Sequence, residues 1–409
     1  MMVDRLKTAA KVGVAAFAAA QAVTVGGLLL LDRQRKRHRG HVPFPFAEPT
    51  EMRTGEDRVT VYTKGRDLYD DMLAAIDAAQ HTILLETYIW KGDRVGMQFK
   101  HALTAAVDRG VAVYVCYDVF ANLVVPQRFF RFDPRIHVLR HRPWTGARAG
   151  PFVRAPGLNH RKIMVVDGEI GFIGGYNIGS LYATRWRDTH MRVRGPAAAE
   201  LENAFVDYWN SSRREHPALP QPTNRKWNSP ITVVRNVPSI GVYPIRYMYL
   251  ETIDRARERI WLTHAYLIPD DDLTYALVEA ADRGVDVRII VPAESNHIVA
   301  DWLSRGYYHR LLSRGVRLFL YQDAMVHAKT ATVDGLWTTI GTANLDQLSL
   351  TGNYEINLQI LDADLAAEME RIFEMDAGNC IELTLEEWNT RPVAMKISEA
   401  VLAPMRPLL

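Results

Sequence analysis

Two stretches of the chain place the same residue types at the same intervals. The first is His160-Arg-Lys162-Ile-Met-Val-Val-Asp167, followed by Gly174-Gly-Tyr-Asn177. The second is His327-Ala-Lys329-Thr-Ala-Thr-Val-Asp334, followed by Gly341-Thr-Ala-Asn344. In both, Lys follows His by two residues, Asp follows Lys by five, and Asn follows Asp by ten. Eleven residues beyond each Asn stands a carboxylate, Asp188 in the first copy and Glu355 in the second. A carboxylate accepting the His Nδ1–H fixes the tautomer and leaves Nε2 to attack or to transfer a proton. The lysines offer positive charge, each Asn an amide donor, and the Gly-Gly or Gly-Thr pair a close backbone approach to an anion. A lone His-x-Lys is ordinarily a solvated strand edge. Two copies with one spacing are not explained that way, because divergence after duplication erodes residues that a site does not need. Asp167 and Asp334 each precede a glycine, so they are read as strand-ending scaffold despite their place in the motif.

Alternation at spacing two predicts that His and Lys share one face of a strand. The surrounding pattern repeats as well. A strand at 82–90, a helix at 99–107, the stop Asp108-Arg-Gly and a strand at 111–117 are matched by a strand at 260–268, a helix at 273–281, the stop Asp282-Arg-Gly and a strand at 287–291. A third stop, Ser313-Arg-Gly, precedes a strand at 317–321. Glycine after the last helical turn supplies the left-handed cap, and the apolar runs after it read as buried strands. Strands alternating with helices imply two similar α/β halves around a largely parallel or mixed sheet. The expected organisation is an amino-terminal membrane-anchor helix with a basic flank at 1–40, a linker at 41–54, a first half at 55–215, a linker at 216–230, a second half at 231–395 and a tail at 396–409. His137 with His141, and Asp270 to Asp272, are read as loop and helix-start residues rather than as a metal cluster.

The duplicated motif resembles the signature of the phospholipase D superfamily, over nearly all of residues 55–385. Within it, the tracts 159–168, 174–179, 186–190, 325–335, 341–346 and 353–355 are similar to those of bacterial cardiolipin synthases. Thr342 stands where those enzymes carry Ser, and Gln347 where they commonly carry Arg. The resemblance implies two α/β halves packed about a pseudo-twofold axis, with both motifs facing one site. It implies phosphodiester exchange in which His160 attacks phosphorus to form a phosphohistidine and His327 serves as acid and base. Lys162, Lys329, Asn177 and Asn344 would neutralise the equatorial oxygens. No metal or other cofactor is then needed. The implied function is a phosphatidyltransferase acting on a phosphatidylglycerol-like phospholipid. A hydrolytic phospholipase D is the alternative, and a phosphodiesterase nuclease a more distant one.

Charge and hydropathy bear on the partners. Residues 1–40 hold eight Lys/Arg against two Asp, leaving the rest of the chain with 41 basic and 45 acidic residues. That net of −4 lacks the footprint of a nucleic-acid binder. Residues 12–31 carry no charge and, as a helix, would reach roughly 30 Å, the thickness of a hydrocarbon core. The basic block 33–39 follows at once, which opposes export and places the body on the cytoplasmic side of a membrane. Of two cysteines, Cys116 sits in an apolar run, so a reduced state is the simpler expectation. Arg142, Arg148 and Arg154 either recognise a second phosphate or belong to a solvated loop. The segments 180–186, 240–243 and 247–249 either meet lipid or cover the core.

Overall fold

The computed structural model describes residues 42–143, 157–221 and 229–404 and, upstream, Gln21, 23–28, Leu30 and Arg33. The first half contributes β1 (Glu51–Thr54), β2 (Asp57–Lys64), β3 (Thr82–Thr87), β4 (Ala112–Asp118), β5 (His137–His141), β6 (Ile163–Val166), β7 (Ile170–Gly174) and β8 (Trp186–Arg194). The second contributes β9 (Ile231–Asn236), β10 (Arg259–His264), β11 (Leu267–Ile268), β12 (Asp286–Pro292), β13 (Arg317–Tyr321), β14 (Met325–Val326), β15 (Lys329–Val333), β16 (Trp337–Gly341), β17 (Leu345–Asp346), β18 (Glu355–Leu361) and β19 (Cys380–Leu383). One sheet runs β1-β2-β8-β7-β6-β3-β4-β5, and the other β19-β13-β12-β10-β15-β16-β18-β9.

Seven strands of each order follow one diagram, β2-β8-β7-β6-β3-β4-β5 matching β9-β18-β16-β15-β10-β12-β13, while β1 and β19 are added at opposite edges. β3, β4 and β5 pair parallel, as do β10, β12 and β13, and β6-β7-β8 repeat as antiparallel β15-β16-β18. Local chemistry explains the units. Gly110, Gly284 and Gly315 adopt φ of 92°, 89° and 85° directly after helices, where a side chain would be strained. Asp93 and Asp270 cap the helices Arg94–Asp108 and Asp271–Asp282 by accepting the Gly96 and Leu273 amides, so the acidic run at 270–272 is a helix start as expected.

The halves share a core. Ile173, Met191 and Val193 pack in one cluster with Ile340, Ile356 and Leu358. Each such buried side chain contributes about 1.5–3 kcal/mol. β14 leaves its own sheet and pairs in parallel with β8, matching Met325 to Trp186 and Val326 to Arg187. Arg187 of β8 meets Asp376 of the helix Ala363–Ala377 through two hydrogen bonds, at 2.9 and 2.6 Å, with both side chains buried.

Several details differ from expectation. His137 and His141 are not loop residues: they bound β5, whose parallel register on β4 brings His137 opposite Tyr114 and His141 opposite Asp118. The strand expected at 260–268 breaks at Ala265, since β11 turns away to pair with β17. β1 falls within the expected 41–54 linker, and the expected boundary at 395 falls inside the helix Val393–Leu402, which packs against the helix Ile298–Leu312. The charge-free run 12–31 lies for the most part outside the described residues, and Arg148 and Arg154 lie outside them too. Among the described residues no helix is long and apolar enough to cross a membrane. Cys116 is buried and Cys380 partly exposed, both as free thiols.

The Arg187–Asp376 pair makes a stability prediction. Asp376→Ala strands a buried guanidinium and is expected to cost about 3–5 kcal/mol in urea unfolding. A loss under about 1 kcal/mol, the size of a surface ion pair, would show that the pair does not hold the halves together.

Candidate active site

The histidines do not lie within strands as alternation suggested. His160 and Lys162 precede β6, and His327 lies between β14 and β15, with Lys329 as the first residue of β15. The cause is that each His segment bonds to the opposite half. The His160 amide donates to the Tyr354 carbonyl at 3.0 Å, and the His327 amide to the Arg187 carbonyl at 2.7 Å. Tyr354 and Arg187 immediately precede Glu355 and Asp188.

The side chains therefore cross. His160 Nδ1 lies 2.9 and 3.0 Å from the two oxygens of Glu355, and His327 Nδ1 lies 2.6 Å from Asp188 Oδ2. Each imidazole is oriented by a carboxylate of the other half, leaving Nε2 as the nitrogen for chemistry. Lys162 donates to the carbonyl of His160 at 2.6 Å, and Lys329 likewise to that of His327. Both lysines are almost wholly buried.

Burial dominates the electrostatics. Desolvation pushes Lys162 down to about 7 and Lys329 to about 8, opposed by the charges of Glu355 and Asp188. The same cause lifts Glu355 to about 8 and Asp188 to about 6, opposed by the lysines. Both histidines are held well below the ordinary imidazole value by desolvation and then by the two lysines, so they rest neutral. A neutral imidazole beside a partly desolvated ammonium is suited to attack on an anionic phosphodiester.

Asn177 and Asn344 line the same cleft. Asn177 Oδ1 accepts the Ile89 amide at 3.0 Å, which directs its amide nitrogen. Asp167 and Asp334 are not brought into the site. Each sits in a left-handed turn, at φ 52° and 51°, and accepts three backbone amides, from Gln80, His81 and Thr82 and from Arg257, Glu258 and Arg259. Although burial raises their pKa, those amides hold both below the usual carboxylate range. The dipeptides after β7 and β16 act on the carboxylates. Thr342 Oγ1 donates to Glu355 at 2.5 Å, whereas a Cβ on Gly175 would lie 2.0 Å from Asp188 Oδ1.

Some supporting residues escape sequence reasoning. Asp118 accepts the Asn159 amide at 2.9 Å, and Glu86 accepts from both the Asn159 side chain and Arg161. Arg161 also donates to the Ala204 carbonyl and stacks on Tyr208. The residues flanking His160 are thus anchored behind it. The available signal is Glu86, a charge inside the otherwise uncharged run 82–90.

The two histidines open into a cleft of about 470 Å³. Its walls are mainly apolar and aromatic: Tyr88, Phe120, Trp186, Ile268, Val299 and Leu348 among others. Tyr88 meets the His160 ring edge-on, with centroids at 4.6 Å, and Trp186 lies 4.9 Å from His327. Of the segments expected to meet lipid or core, Tyr182, Trp186, Met248 and Tyr249 are buried, while Leu181, Ile240, Val242 and Tyr247 are exposed. Among the described residues no three His, Cys, Asp or Glu side chains are grouped to hold a metal.

A duplicated fold with one site at its internal twofold can be compared with known proteins. The family model for the cardiolipin synthase, PLD-like domain matches residues 72–209 and 249–377. The chain belongs to this family. Cardiolipin synthase 1 of Staphylococcus aureus is 30% identical over 398 residues, spanning 92% of this chain and 79% of that protein. The major cardiolipin synthase of Bacillus subtilis is 32% identical over 370 residues, spanning 87% and 76%. Phosphatidylserine synthase of Haemophilus influenzae superposes with a TM-score of 0.68 at 14% identity, covering 92% of this chain and all of that one, and shares the fold. Polyphosphate kinase of Porphyromonas gingivalis shares it at a TM-score of 0.55 and 17% identity, over 88% and 56%. This chain is an enzyme of phospholipase D type, a phosphatidyltransferase of phospholipid biosynthesis.

Two predictions follow from the crossed pairs. Gly175→Ala displaces Asp188 from His327 and is expected to lower kcat about 100-fold without unfolding the protein. Unchanged kcat would mean that Asp188 does not position His327. A carboxyl whose folded pKa exceeds its unfolded value binds its proton more tightly when folded, so Glu355 costs stability as pH rises from about 4.5 to about 8. Glu355→Gln removes that cost. Its urea midpoint relative to the parent should therefore improve between about pH 5 and about pH 8, and a constant difference would refute the shift.

Proposed function

We propose that this enzyme condenses a phosphatidylglycerol-like phospholipid with the alcohol of a second lipid through a covalent phosphohistidine. The observation that carries this reading is the pair of imidazoles, each held at Nδ1 by the opposite half, sharing one cleft. In the first step Nε2 of His160 bonds to phosphorus, the bond from phosphorus to the headgroup oxygen breaks, and His327, which takes up a proton as the anionic substrate binds, gives that oxygen the proton. In the second, His327 takes the proton of the incoming hydroxyl as its oxygen bonds to phosphorus, and the bond to His160 breaks. Lys162, Lys329, Asn177 and Asn344 balance charge on the oxygens that do not react. The order of the two histidines follows the family resemblance.

The cleft's apolar lining supports a lipid alcohol over water as acceptor, because acyl chains filling it would exclude solvent at the second step. The enzyme is proposed to work at a membrane, with its body on the cytoplasmic side and the segment upstream of the basic block, which packs on that body through Gln21 and Leu28, as the anchor.

The test is product analysis by mass spectrometry with phosphatidylglycerol vesicles. Cardiolipin and glycerol are expected. His160→Ala and His327→Ala should each lower turnover by at least about 10⁴-fold. Phosphatidic acid as the only product would assign water as the acceptor, and a chelator-sensitive rate restored by a divalent ion would overturn the proposed charge balance by lysines.

A further inference from the structure

The catalytic residues obey the internal twofold, but the rims of the cleft do not. After β4 the chain forms a tight turn at residues 119–125, with no helix until the short 3₁₀ turn Gln127–Phe130. After β12, the equivalent strand, it forms the fifteen-residue helix Ile298–Leu312. Both segments line the cleft, through Phe120 on one side and through Val299 and Ala300 on the other.

The turn presents its apolar side chains to solvent. Phe120, Leu123 and Val124 are 50%, 58% and 82% exposed. This is not a slack loop. Buried Asn122 donates to the carbonyls of Tyr88 and Asp118 and accepts the Trp90 amide, and Asp118 accepts the Ala121 amide. A turn braced this firmly, holding three apolar groups outward, spends solvation energy that folding does not recover. Its charge is one-sided as well. No acidic residue occurs between Asp118 and Asp133, while Arg128 and Arg131 are exposed in the same stretch, on a body whose net charge is −4.

The opposite rim is apolar for a different reason. Leu28, from the upstream segment, is buried against Ile268, Ala300, Trp302, Leu303 and Leu402, and Gln21 bonds to the Val401 carbonyl at 3.2 Å. Ile268 and Ala300 also line the cleft. Beside this contact, Val393 and Ile397 of the helix Val393–Leu402 lie four residues apart and are 69% and 60% exposed.

We propose that the turn at 119–125 is a membrane-docking element that presses the mouth of the cleft onto an anionic phospholipid bilayer, with the helix Val393–Leu402 completing the contact across the cleft. Leu123 and Val124 enter the acyl boundary, Arg128 and Arg131 meet anionic headgroups, and Phe120 marks the path from bilayer to His160. Apolar groups flanked by cations and free of acids match an anionic lipid surface, and their continuity with an apolar cleft fits a substrate drawn from that surface. The proposal rests on the reading that the substrate is a phospholipid.

The test uses the full chain with Cys380→Ser, leaving only buried Cys116, and an environment-sensitive fluorophore at Val124→Cys. A control label sits at Leu361→Cys, which is exposed at the end of β18 opposite Glu355. With vesicles of phosphatidylglycerol and phosphatidylcholine, the label at 124 should shift to the blue and be quenched by nitroxide lipid, and the label at 361 should do neither. Leu123→Asp with Val124→Asp should lose roughly tenfold in turnover on vesicles, but keep the parent's rate on short-chain phosphatidylglycerol dispersed as monomers. An unmoved label at 124 overturns the proposal. So does an equal loss on both forms of substrate, or a dimer in solution that Val124→Asp dissociates without any lipid quenching. Insertion at 124 by a parent enzyme that turns over no phospholipid would uphold the docking surface while defeating the functional reading on which it was built.

Discussion

Each imidazole takes its orientation from a carboxylate on the other half, and this exchange constrains the rest of the molecule. His160 depends on Glu355, and His327 on Asp188. Neither His160 nor His327 finds its carboxylate in its own half, so the sheets must meet in one register for either pair to form. The structure spends several interactions on that register: the β14–β8 pairing, the His160 and His327 amide bonds, the shared core around Ile173 and Ile356, and the buried Arg187–Asp376 pair. Arg187 belongs to both tasks, since its carbonyl receives the His327 amide while its guanidinium grips Asp376 and the Asp188 carbonyl.

The twofold is close at the reacting atoms and loose immediately behind them. Asp188 is one methylene shorter than Glu355, and the residues beneath compensate. On the short side, Gly175 leaves the space that Asp188 occupies. On the long side, the Thr342 hydroxyl reaches Glu355 and steadies it. The His segments differ likewise. Asn159 and Arg161 are tied into a buried polar network by Asp118 and Glu86, whereas Val326 and Ala328 beside His327 are simply packed apolar. Unequal supports make the two imidazoles unequal in environment, which accords with the proposed division into nucleophile and acid.

Much of this site was legible in the sequence, because duplication turned a weak pattern into a specific one. The spacing picked out both histidines, both lysines, both asparagines and both carboxylates, and the glycine after each of Asp167 and Asp334 pointed to a turn and hence to the scaffold. The crossing was not legible. A carboxylate eleven residues past an asparagine looks the same whether it serves its own half or the other, and only the packing of two sheets decides. The same limit applies to β5. His137 and His141 alternate too briefly to announce a strand, and it is the exposed parallel edge of β4 that recruits them. Likewise, the alternation that placed His and Lys on one strand missed that each His segment leaves its ladder to bond across the interface.

The buried charges bear on how the site handles an anionic substrate. Two ammonium groups and two carboxyl groups lie together out of water, and burial pushes every one of them toward neutrality. A phosphodiester entering the cleft supplies negative charge at short range and favours the charged lysines, while the apolar walls keep water from screening that attraction. Proton uptake and substrate binding are thereby linked: the lysines recover full charge when there is a phosphate to neutralise. The same desolvation keeps both imidazoles unprotonated before substrate enters, which leaves His160 free to attack, while the incoming negative charge favours the proton that the proposed acid, His327, must carry. An apolar cleft suited to the proposed lipid and a charged centre suited to its phosphate are consequences of one choice, to enclose these groups between two halves and keep water out.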